Sequence, residues 1–550
     1  HPVRDLSGAW QLAEAGDPVA RIRRPWTDAI AAEVPGSVHS ALWKAGKIPN
    51  PYFGKQDAIA RRQSFKTWWY KTTFEKPEGM KMARLVFDGV AIHCKVWLNN
   101  QELGEHEGMF GGPVFDVSGK LEAENTLVVR IDPAPVRGPA ENDIDKVNYG
   151  WQDTVVFNNV YGWHYCNIPS LGIWRGVRVE AIPEIEIRNP FVATRNANRG
   201  EMDLSVPLRG PLEGWSAVLR TTIEPDNFDG KAHHFEWPVQ SGGAMANARL
   251  RFTIPDARVW WPNDLGDQPL YRMHLSIEPG GNGPADTTTT LFGVRTVEQA
   301  PLPGGPYPTK CNWQFVINGE PIFVKGTGWC TMDPLMDFSY ARYERLLQLA
   351  QSQHIQMLRA WGSGMPETDE FYEACDRYGV MVLQEWPTAW NSHEKQPLDV
   401  LEETVRLNTL RIRNHPALVM YGGGNESSNP YGAAIDMMGR HAVELDGTRA
   451  FHRGEPYGGS THNYDCYWGR QPLDRNLRLT ADFIGEFGLA SMPVLESVLR
   501  YTPEDEQQVW PPADDGTIAH HTPIFNTNED LPRLKQYSAC FMPQDSLENF

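Results

Sequence analysis

Two glutamates at the ends of apolar segments, Glu426 and Glu486, are the residues of this sequence best suited to acid–base chemistry. Glu426 follows the run Tyr421-Gly-Gly-Gly-Asn425, and Glu486 lies within Phe483-Ile-Gly-Glu-Phe-Gly488. Cleavage of a glycosidic bond needs one protonated carboxyl group, which assists the leaving oxygen, and one ionised carboxylate. A single glutamate is more often a solvated surface charge, so the prediction rests on both residues occurring in the same kind of context.

Two further apolar segments of the same region also end in polar and aromatic residues. One ends in Arg359-Ala-Trp361-Gly362 and the other in Gln384-Glu385-Trp386. In a parallel barrel the carboxyl ends of the strands line one mouth, so these side chains and the two glutamates would converge there. The sequence leaves the separation of the carboxylates open: about 5–5.5 Å corresponds to retention of the anomeric configuration and about 6.5–9.5 Å to inversion.

The region that contains these segments, residues 301–550, alternates strands with helices. Helical spacing over Tyr343 to Ala350 is followed by the apolar run Ile355 to Ala360, and the helical stripe Phe371 to Tyr378 by the run Val380 to Leu383. This rhythm predicts a parallel sheet, either open or closed into a barrel, and periodicity alone does not distinguish the two.

The preceding residues predict two all-β units. Short alternating runs are separated by turn residues such as Asp88-Gly89 and Asn99-Asn100, which is typical of an antiparallel sandwich over residues 1–183. Residues 184–300 carry further alternating runs and have about the size of an immunoglobulin-like sandwich.

The composition excludes several classes of partner. A formal net charge of −18 argues against nucleic acid and against an anionic membrane surface. No apolar run is long enough to span a bilayer, which needs about 18 residues. Neither a metal site nor a cofactor is predicted, because the 7 cysteines form no CxxC and the pairs His233-His234 and His520-His521 lack further ligands at a recognisable spacing.

Long stretches of the sequence resemble family 2 glycoside hydrolases, in particular their β-mannosidase and exo-β-glucosaminidase branch. The matching motifs are Asn50-Pro-Tyr-Phe-Gly54, Trp68-Trp-Tyr-Lys-Thr-Thr-Phe74, the run from Phe87-Asp-Gly89 to Met109-Phe110, Gly172-Ile-Trp-Arg175, Val316 to Gly326, Met357-Leu-Arg-Ala-Trp-Gly362, Arg413-Asn-His-Pro416, Gly424-Asn-Glu426 and Gly485-Glu-Phe-Gly488. The resemblance implies a multidomain fold: a jelly-roll, sugar-binding-like β-sandwich, an immunoglobulin-like β-sandwich and a (β/α)8 TIM barrel.

The resemblance also implies roles for individual residues. Glu426 would be the acid/base on the fourth barrel strand and Glu486 the nucleophile on the seventh. Arg359 would lie beside the nucleophile and favour its ionised form, and Asn425 would contact the hydroxyl next to the anomeric carbon. The remaining implied substrate-binding residues are Trp361 and Trp386, as walls of the −1 subsite, and His462, Tyr464 and Trp468 from the region of the sixth strand.

The implied activity is retaining hydrolysis of a terminal β-glycoside, with no metal or organic cofactor. A β-mannoside is the first choice of substrate. Exo-β-glucosaminidase and β-galactosidase specificities stay open, and so does a non-catalytic carbohydrate-binding protein on the same fold. The partner expected in every case is an oligosaccharide or a glycoside.

Two departures from the family pattern bear on the substrate. The residues Trp163 to Pro169 stand where β-mannosidases have a Trp-Asp-Trp-Gly stretch, in a loop that reaches toward the barrel mouth in the family. Gly422-Gly423 and Ser427 to Pro430 flank the Gly-Asn-Glu motif where relatives often have bulkier or more acidic residues. Both changes are expected to reshape the surroundings of the sugar.

The two ends of the chain give two further expectations. After Glu486 we find no segment typical of an eighth strand, and Leu531 to Phe550 has the pattern of the helical region before it. We therefore expect a barrel truncated before strand 8, which a C-terminal continuation or a second chain would complete. The first residue is His1 rather than Met, which favours a secreted or periplasmic location over a cytoplasmic one.

Overall fold

The computed structural model describes residues 2–135, 154–156, 168–280, 285–302, 313–489, 491–522 and 530–550. In these residues the chain forms two antiparallel β-sandwiches and then a parallel α/β unit, which confirms the predicted order of fold types. The domain limits 1–183, 184–300 and 301–550 stay predictions. Most of the loop singled out at 163–169 lies outside the described residues.

The first sandwich packs a four-stranded sheet against a six-stranded sheet. Its strands are β1 (Val3–Asp5), β2 (Gly8–Glu14), β3 (Ile30–Val34), β4 (Trp68–Glu75), β5 (Ala83–Phe87), β6 (His93–Leu98), β7 (Gln101–Glu107), β8 (Val114–Asp116), β9 (Glu124–Ile131) and β10 (Val177–Ala181), with helices α1 (Pro18–Arg23), α2 (Val38–Lys44) and α3 (Asp57–Gln63). The sheet orders are β1-β10-β5-β8 and β3-β2-β4-β9-β6-β7. In β9 the alternate residues Leu127, Val129 and Ile131 are fully buried, as the period of two requires.

The second sandwich is smaller and has the same antiparallel character. Its strands are β11 (Glu186–Ile187), β12 (Phe191–Asn196), β13 (Glu201–Arg209), β14 (Trp215–Pro225), β15 (His233–Ser241), β16 (Met245–Thr253), β17 (Tyr271–Glu278) and β18 (Asp286–Phe292). One sheet has the order β15-β14-β17-β18, and in the other β13 pairs with β11, β12 and β16. Met202, Leu204, Val206 and Leu208 alternate along β13 and form its inner face.

A small antiparallel sheet leads into the parallel unit. It consists of β19 (Val297–Ala300), β20 (Gln314–Ile317) and β21 (Glu320–Ile322). The parallel unit then contains β22 (Gly326–Trp329), α4 (Tyr340–Ser352), β23 (Met357–Ala360), α5 (Asp369–Tyr378), β24 (Met381–Glu385), α6 (Leu398–Ile412), β25 (Leu418–Gly422), α7 (Ala433–His441), β26 (Ala450–His452), β27 (Ser460–Asn463), β28 (Phe483–Phe487), α8 (Leu495–Tyr501), α9 (Glu504–Gln507), α10 (Thr517–His521) and α11 (Asp530–Ser538).

The parallel strands fall into two groups. β22 to β26 form one five-stranded sheet in chain order, and β27 pairs with β28. Glu426 therefore follows the fourth parallel strand and Glu486 lies on the seventh, as the resemblance implied. Among the described residues, no helix is long and apolar enough to cross a membrane.

The helix stripes predicted in this unit are present. Thr368 caps α5 through a hydrogen bond from the Phe371 backbone N–H, and Gly379 ends the helix with a left-handed φ of 70°. Phe371 and Cys375 are fully buried against the parallel sheet and its neighbours. The glycine at the end of α5 lets the chain turn directly into β24.

Buried polar contacts join the second sandwich to the parallel sheet. Arg295 donates from Nε to the carbonyl of Pro416 (2.8 Å) and from Nη2 to the carbonyl of Leu418 (2.5 Å). Trp260 donates its indole N–H to the carbonyl of Asp376 (2.8 Å). Since Leu418 begins β25, the strand that leads to Glu426 is held in place by the sandwich as well as by its own sheet.

The C-terminal helices contact the first sandwich through the pair His520-His521. His520 Nε2 lies 2.7 Å from a carboxylate oxygen of Asp57, and His521 Nε2 lies 2.7 Å from the carbonyl of Gly54. Both histidines are half-buried. The pair thus forms part of a contact between distant parts of the chain.

Candidate active site

The carboxylates of Glu426 and Glu486 meet at the carboxyl end of the parallel strands. One oxygen of each, together with a ring nitrogen of His462, forms a group whose atoms all lie within 4.8 Å of one another. The structure therefore brings together two glutamates and a histidine that are well separated in the sequence. Such a donor set could also take a divalent cation, although Arg359 already neutralises Glu486 here.

Arg359, at the end of β23, is the central cation of the site. Its Nη1 forms an ion pair with Glu486. Its Nε and Nη2 donate to the two oxygens of Glu385, at 2.9 and 3.0 Å, and Nη2 also donates to Asn425 Oδ1 at 2.8 Å. The fixed fork of the guanidinium thus sets the relative positions of three strand ends.

Glu486 receives a second hydrogen bond on its other oxygen. The Tyr464 hydroxyl donates to Oε2 at 2.5 Å. Burial, together with the charge of Glu486, raises the pKa of Tyr464 well above its ordinary value, so the phenol remains a donor. An arginine and a phenol thus hold the two oxygens of the Glu486 carboxylate in place.

Glu426 accepts hydrogen bonds from two side chains. The Trp390 indole donates to Oε2 at 2.9 Å, and His462 Nδ1 lies 2.8 Å from Oε1. Burial alone would raise the pKa of Glu426, but these two hydrogen bonds outweigh it and hold the pKa below its ordinary value. In the unliganded site the proton shared by Glu426 and His462 therefore rests on the histidine.

The backbone around Glu426 is unusual. Glu426 has a φ of 45° and Trp390 a φ of 48°, both in the left-handed region that non-glycine residues rarely adopt. Backbone hydrogen bonds hold the two segments, from Trp390 N–H to the Asn425 carbonyl (2.9 Å) and from Glu426 N–H to the Glu455 carbonyl (2.7 Å). The strained conformation is thus fixed by neighbouring chain, as expected where it serves a site.

His462 carries the strongest electrostatic signal of the group. Burial by itself would lower its pKa, but the neighbouring carboxylates, Glu426 first, raise the pKa to about 9. His462 Nδ1 lies 3.4 Å from Glu486 Oε2 as well as near Glu426, and Nε2 lies 3.4 Å from Glu455 Oε1. The imidazolium is therefore surrounded by three carboxylates.

Glu385 lies behind Arg359 and is only 1% exposed. Burial, partly offset by Arg359, raises the pKa of Glu385 to about 7. The backbone N–H of Gly362 donates to its Oε2 at 2.6 Å. Glu385 thus supports the guanidinium from below and does not face the cavity.

A cavity of about 820 Å³ opens onto the two glutamates. The predicted site residues that line it are Arg359, Trp361, Asn425, Glu426, Tyr464, Trp468 and Glu486. His462 lies behind Glu426 and Glu486, within contact of both. Trp361 meets Trp390 edge to face at a ring distance of 6.0 Å, which gives the cavity an aromatic wall suited to a sugar ring.

Trp386 does not join this group, contrary to the predicted wall of the −1 subsite. It is fully buried and stacks on Tyr421, at a ring distance of 5.8 Å. The backbone N–H of Trp386 still pairs with the Gly422 carbonyl of β25 (3.1 Å), and Glu385 before it points to Arg359. Since successive strand residues point to opposite faces, the indole of Trp386 points away from the site into the core. Trp390, farther along the same loop, supplies the aromatic ring next to Glu426 instead.

A larger cavity of about 1320 Å³ lies between the first sandwich and the parallel unit. Trp43, Tyr52, Trp174 and Asp369 are among its lining residues. None of the predicted site residues lines it. The smaller cavity is therefore the candidate active site on chemical grounds.

Three contributors to the site were absent from the predicted set. Glu385 belongs to the strand-end motif Gln384-Glu385-Trp386, so the sequence did indicate that it could lie near the site. Trp390 and Glu455 follow strands by several residues, and no local pattern marks them. Only the fold reveals that they reach Glu426 and His462.

Two β-sandwiches followed by a parallel α/β unit, with paired carboxylates at its strand ends, define the class of multidomain glycoside hydrolases. Three domain models of one family match the chain in order. Residues 10–175 match the "Glycosyl hydrolase 2 galactose-binding domain-like" model, residues 185–295 the "Glycosyl hydrolases family 2" model and residues 311–466 the "Glycosyl hydrolases family 2, TIM barrel domain" model. The chain belongs to glycosyl hydrolase family 2.

Similar curated proteins include several β-mannosidases. Beta-mannosidase B of Emericella nidulans is 28% identical over 453 residues, which cover 76% of this chain and 50% of that protein. Beta-mannosidase B of Thermothelomyces thermophilus is 26% identical, with coverage of 100% of this chain and 68% of the relative. The chain thus spans about half to two thirds of the length of these relatives.

Similar solved structures share the fold. The beta-D-mannosidase of Dictyoglomus thermophilum superposes with a TM-score of 0.84 at 23% identity, covering 100% of this chain and 70% of that chain. The exo-chitosanase of Amycolatopsis orientalis superposes with a TM-score of 0.70 at 16% identity, covering 97% of this chain and 66% of that one. At these identities the likeness establishes the three-part fold, including the barrel.

Replacing Arg359 by methionine should destabilise the protein in a pH-dependent way. Loss of a buried ion-pair partner costs about 3–5 kcal/mol when the remaining charge stays buried. Glu385 has a pKa raised to about 7 in the folded protein. The folded state therefore takes up a proton as the pH falls, and the loss of stability should be larger at pH 8 than at pH 5.5.

Chemical denaturation of Arg359→Met at the two pH values measures this difference. Arg220→Met is the matched control, since Arg220 forms a half-exposed pair with Glu278 at 2.8 Å. The control should change the free energy of unfolding by at most about 1 kcal/mol at either pH. Equal losses for Arg359→Met at pH 8 and pH 5.5 would contradict the assigned role of the buried network.

Proposed function

We propose that this chain is a retaining exo-β-glycosidase that releases a terminal non-reducing sugar, with a β-mannoside as its substrate. The observation that carries the proposal is the approach of Glu426 and Glu486, whose oxygens lie within 4.8 Å. Retaining enzymes have carboxyl groups about 5–5.5 Å apart, whereas inverting enzymes need about 6.5–9.5 Å to admit a water. The close approach of the two carboxylates therefore favours retention over inversion.

Glu486 has the surroundings of the nucleophile. It is paired with Arg359 and accepts a hydrogen bond from Tyr464, and both contacts hold its carboxylate at the mouth of the strands. In the first step Glu486 attacks the anomeric carbon as the bond to the leaving oxygen breaks. The product is a covalent glycosyl-enzyme.

Glu426 has the surroundings of the acid/base. It shares a proton with His462, at 2.8 Å, and it lines the cavity. In the form that carries the shared proton on Glu426, this proton passes to the leaving oxygen in the first step. The resulting carboxylate then takes a proton from the water that attacks the glycosyl-enzyme, so the sugar leaves with its configuration retained.

The choice of a β-mannoside rests on the curated relatives. Those quoted above are named β-mannosidases, at 26 to 28% identity. Asn425, which Arg359 holds at 2.8 Å, is available for the hydroxyl next to the anomeric carbon. Exo-β-glucosaminidase and β-galactosidase specificities, or a binding function without catalysis, are the alternatives to test.

A panel of nitrophenyl glycosides tests the function directly. We expect release of nitrophenol from the β-mannoside, with at least a tenfold lower kcat/KM for the β-glucosaminide and the β-galactoside, which corresponds to about 1.4 kcal/mol. A higher kcat/KM for one of the other glycosides would change the proposed substrate but not the proposed reaction. If no glycoside is cleaved and no natural oligosaccharide is shortened, only the carbohydrate-binding function remains.

Glu486→Ala should abolish turnover, because the carboxylate that forms the covalent intermediate is removed. Azide should restore cleavage of an activated glycoside and give a glycosyl azide of inverted configuration, since the small anion enters the space of the carboxylate. Proton NMR of the product reports the anomeric configuration. Glu496→Ala, at an exposed glutamate, is the control and should keep full activity. An azide product of retained configuration would contradict the assignment.

Glu426→Ala should affect substrates according to their leaving groups. General acid catalysis contributes about 10²–10⁴-fold, so kcat/KM for an alkyl glycoside should fall by that factor. The dinitrophenyl glycoside should lose less than about tenfold, because its leaving group departs without a proton. If Glu426→Ala affects both substrates equally and Glu486→Ala shows the leaving-group dependence, the two roles are exchanged.

A further inference from the structure

Glu455 is a buried carboxylate close to the active site. It follows β26, and the side chain is 2% exposed. Neither of its oxygens has a hydrogen-bond partner among the residues that the structure describes. A buried charge is unfavourable unless opposite charges compensate it, so the charged groups near Glu455 indicate its role.

The cation that faces Glu455 is His462. Nε2 of the imidazole lies 3.4 Å from Glu455 Oε1, and Nδ1 on the opposite side of the ring lies 2.8 Å from Glu426 Oε1. Nδ1 is also 3.4 Å from Glu486 Oε2. The ring thus stands between Glu455 on one side and the two carboxylates of the active site on the other.

The fold leaves room for the Glu455 carboxylate at one particular place. It packs on the backbone of β28 at Gly485, where an added Cβ atom would come within 2.1 Å of Oε1. Gly485 directly precedes Glu486. The absence of a side chain at position 485 is therefore what allows a long acidic side chain to reach Nε2 of His462.

We propose that Glu455 is a positioning residue that orients His462 and keeps a proton between His462 and Glu426. This inference rests on the proposed function of Glu426 as the acid/base. The proton has two positions: on Nδ1 of His462, with Glu426 ionised, or on Oε1 of Glu426, with the imidazole neutral. The second form donates to the leaving oxygen, and the neutral imidazole keeps its remaining proton on Nε2, toward Glu455.

All charged groups around His462 bear on this balance. Glu426, Glu455 and Glu486 favour the imidazolium, whereas Arg359 opposes it. These groups come from the ends of four parallel strands, and Tyr464 adds a neutral phenol at Glu486. Because Glu426 and His462 interact strongly, the proton that they share leaves with an apparent pKa that belongs to the pair.

Glu455→Gln removes the charge and keeps the shape. Since an opposite charge in contact shifts a pKa by about 1–3 units, the apparent pKa of the pair should fall by about one unit. The basic limb of kcat/KM for an alkyl glycoside should therefore move to lower pH by that amount. The limb for a dinitrophenyl glycoside should stay in place, because that substrate needs no proton from Glu426.

Asp376→Asn is the matched control. Asp376 is also a fully buried carboxylate paired with a histidine, at 2.6 Å from His415 Nδ1, and it lies outside the site. Asp376→Asn should leave the pH dependence of kcat/KM unchanged for both the alkyl and the dinitrophenyl glycoside. An unmoved limb for Glu455→Gln with the alkyl glycoside, or an equal shift in the control, would overturn the proposal.

A second measurement separates this proposal from the proposed function. Titration of labelled histidine by NMR follows His462 without any substrate, and His462→Gln identifies its signal. The imidazole should lose its proton near pH 9 in the unchanged protein and at lower pH in Glu455→Gln. Identical titrations would refute the role of Glu455, even if glycosides are cleaved, and a shift would support that role even if they are not.

Thermal melting shows whether Glu455→Gln folds. If it does not, Glu455→Asp takes its place in both experiments. The shorter side chain withdraws the carboxylate from Nε2, so a smaller shift in the same direction is expected. No shift in the folded Asp variant would overturn the proposal.

Discussion

The site depends on one buried guanidinium. Arg359 binds Glu385 beneath it, Asn425 beside it and Glu486 above it, so a single rigid group fixes three strand ends relative to one another. Desolvating so many charges is unfavourable unless the geometry satisfies them. The guanidinium satisfies its partners because its N–H donors have a fixed planar arrangement. The fully buried sheet below it keeps the guanidinium from moving.

The acid/base side of the site is organised in a different way. Glu426 and Trp390 both adopt left-handed backbone conformations, and hydrogen bonds between their loops hold them there. Glu486 lies within β28, next to a register shift in the pairing with β27, whereas Glu426 lies on strained chain just beyond β25. One carboxylate is therefore positioned by a sheet and an ion pair, and the other by loop geometry and an imidazole.

The sequence predicted much of this arrangement. The three fold types, their order and the two glutamates followed from periodicity and from motifs at strand ends. Trp386 was assigned to the wrong surroundings: it alternates with Glu385, which points to Arg359, and therefore faces the core on the other side of the sheet. Trp390 and Glu455 were missed because they reach the site through loops, whose conformation is set by contacts far along the chain. The roles of the individual residues stay proposals.

The contact of Arg295 with the start of β25 has a consequence for how such proteins can change over time. The carbonyls of Pro416, just before the strand, and of Leu418, at its start, accept hydrogen bonds from this side chain. Arg449 also donates to the Leu418 carbonyl. Loss of Arg295 on exchange of the sandwich, by recombination or in the laboratory, would therefore remove one donor from Leu418 and the side-chain donor of Pro416. A replacement sandwich should therefore join the chain before Arg295, so that this arginine stays with the sheet whose approach it supports.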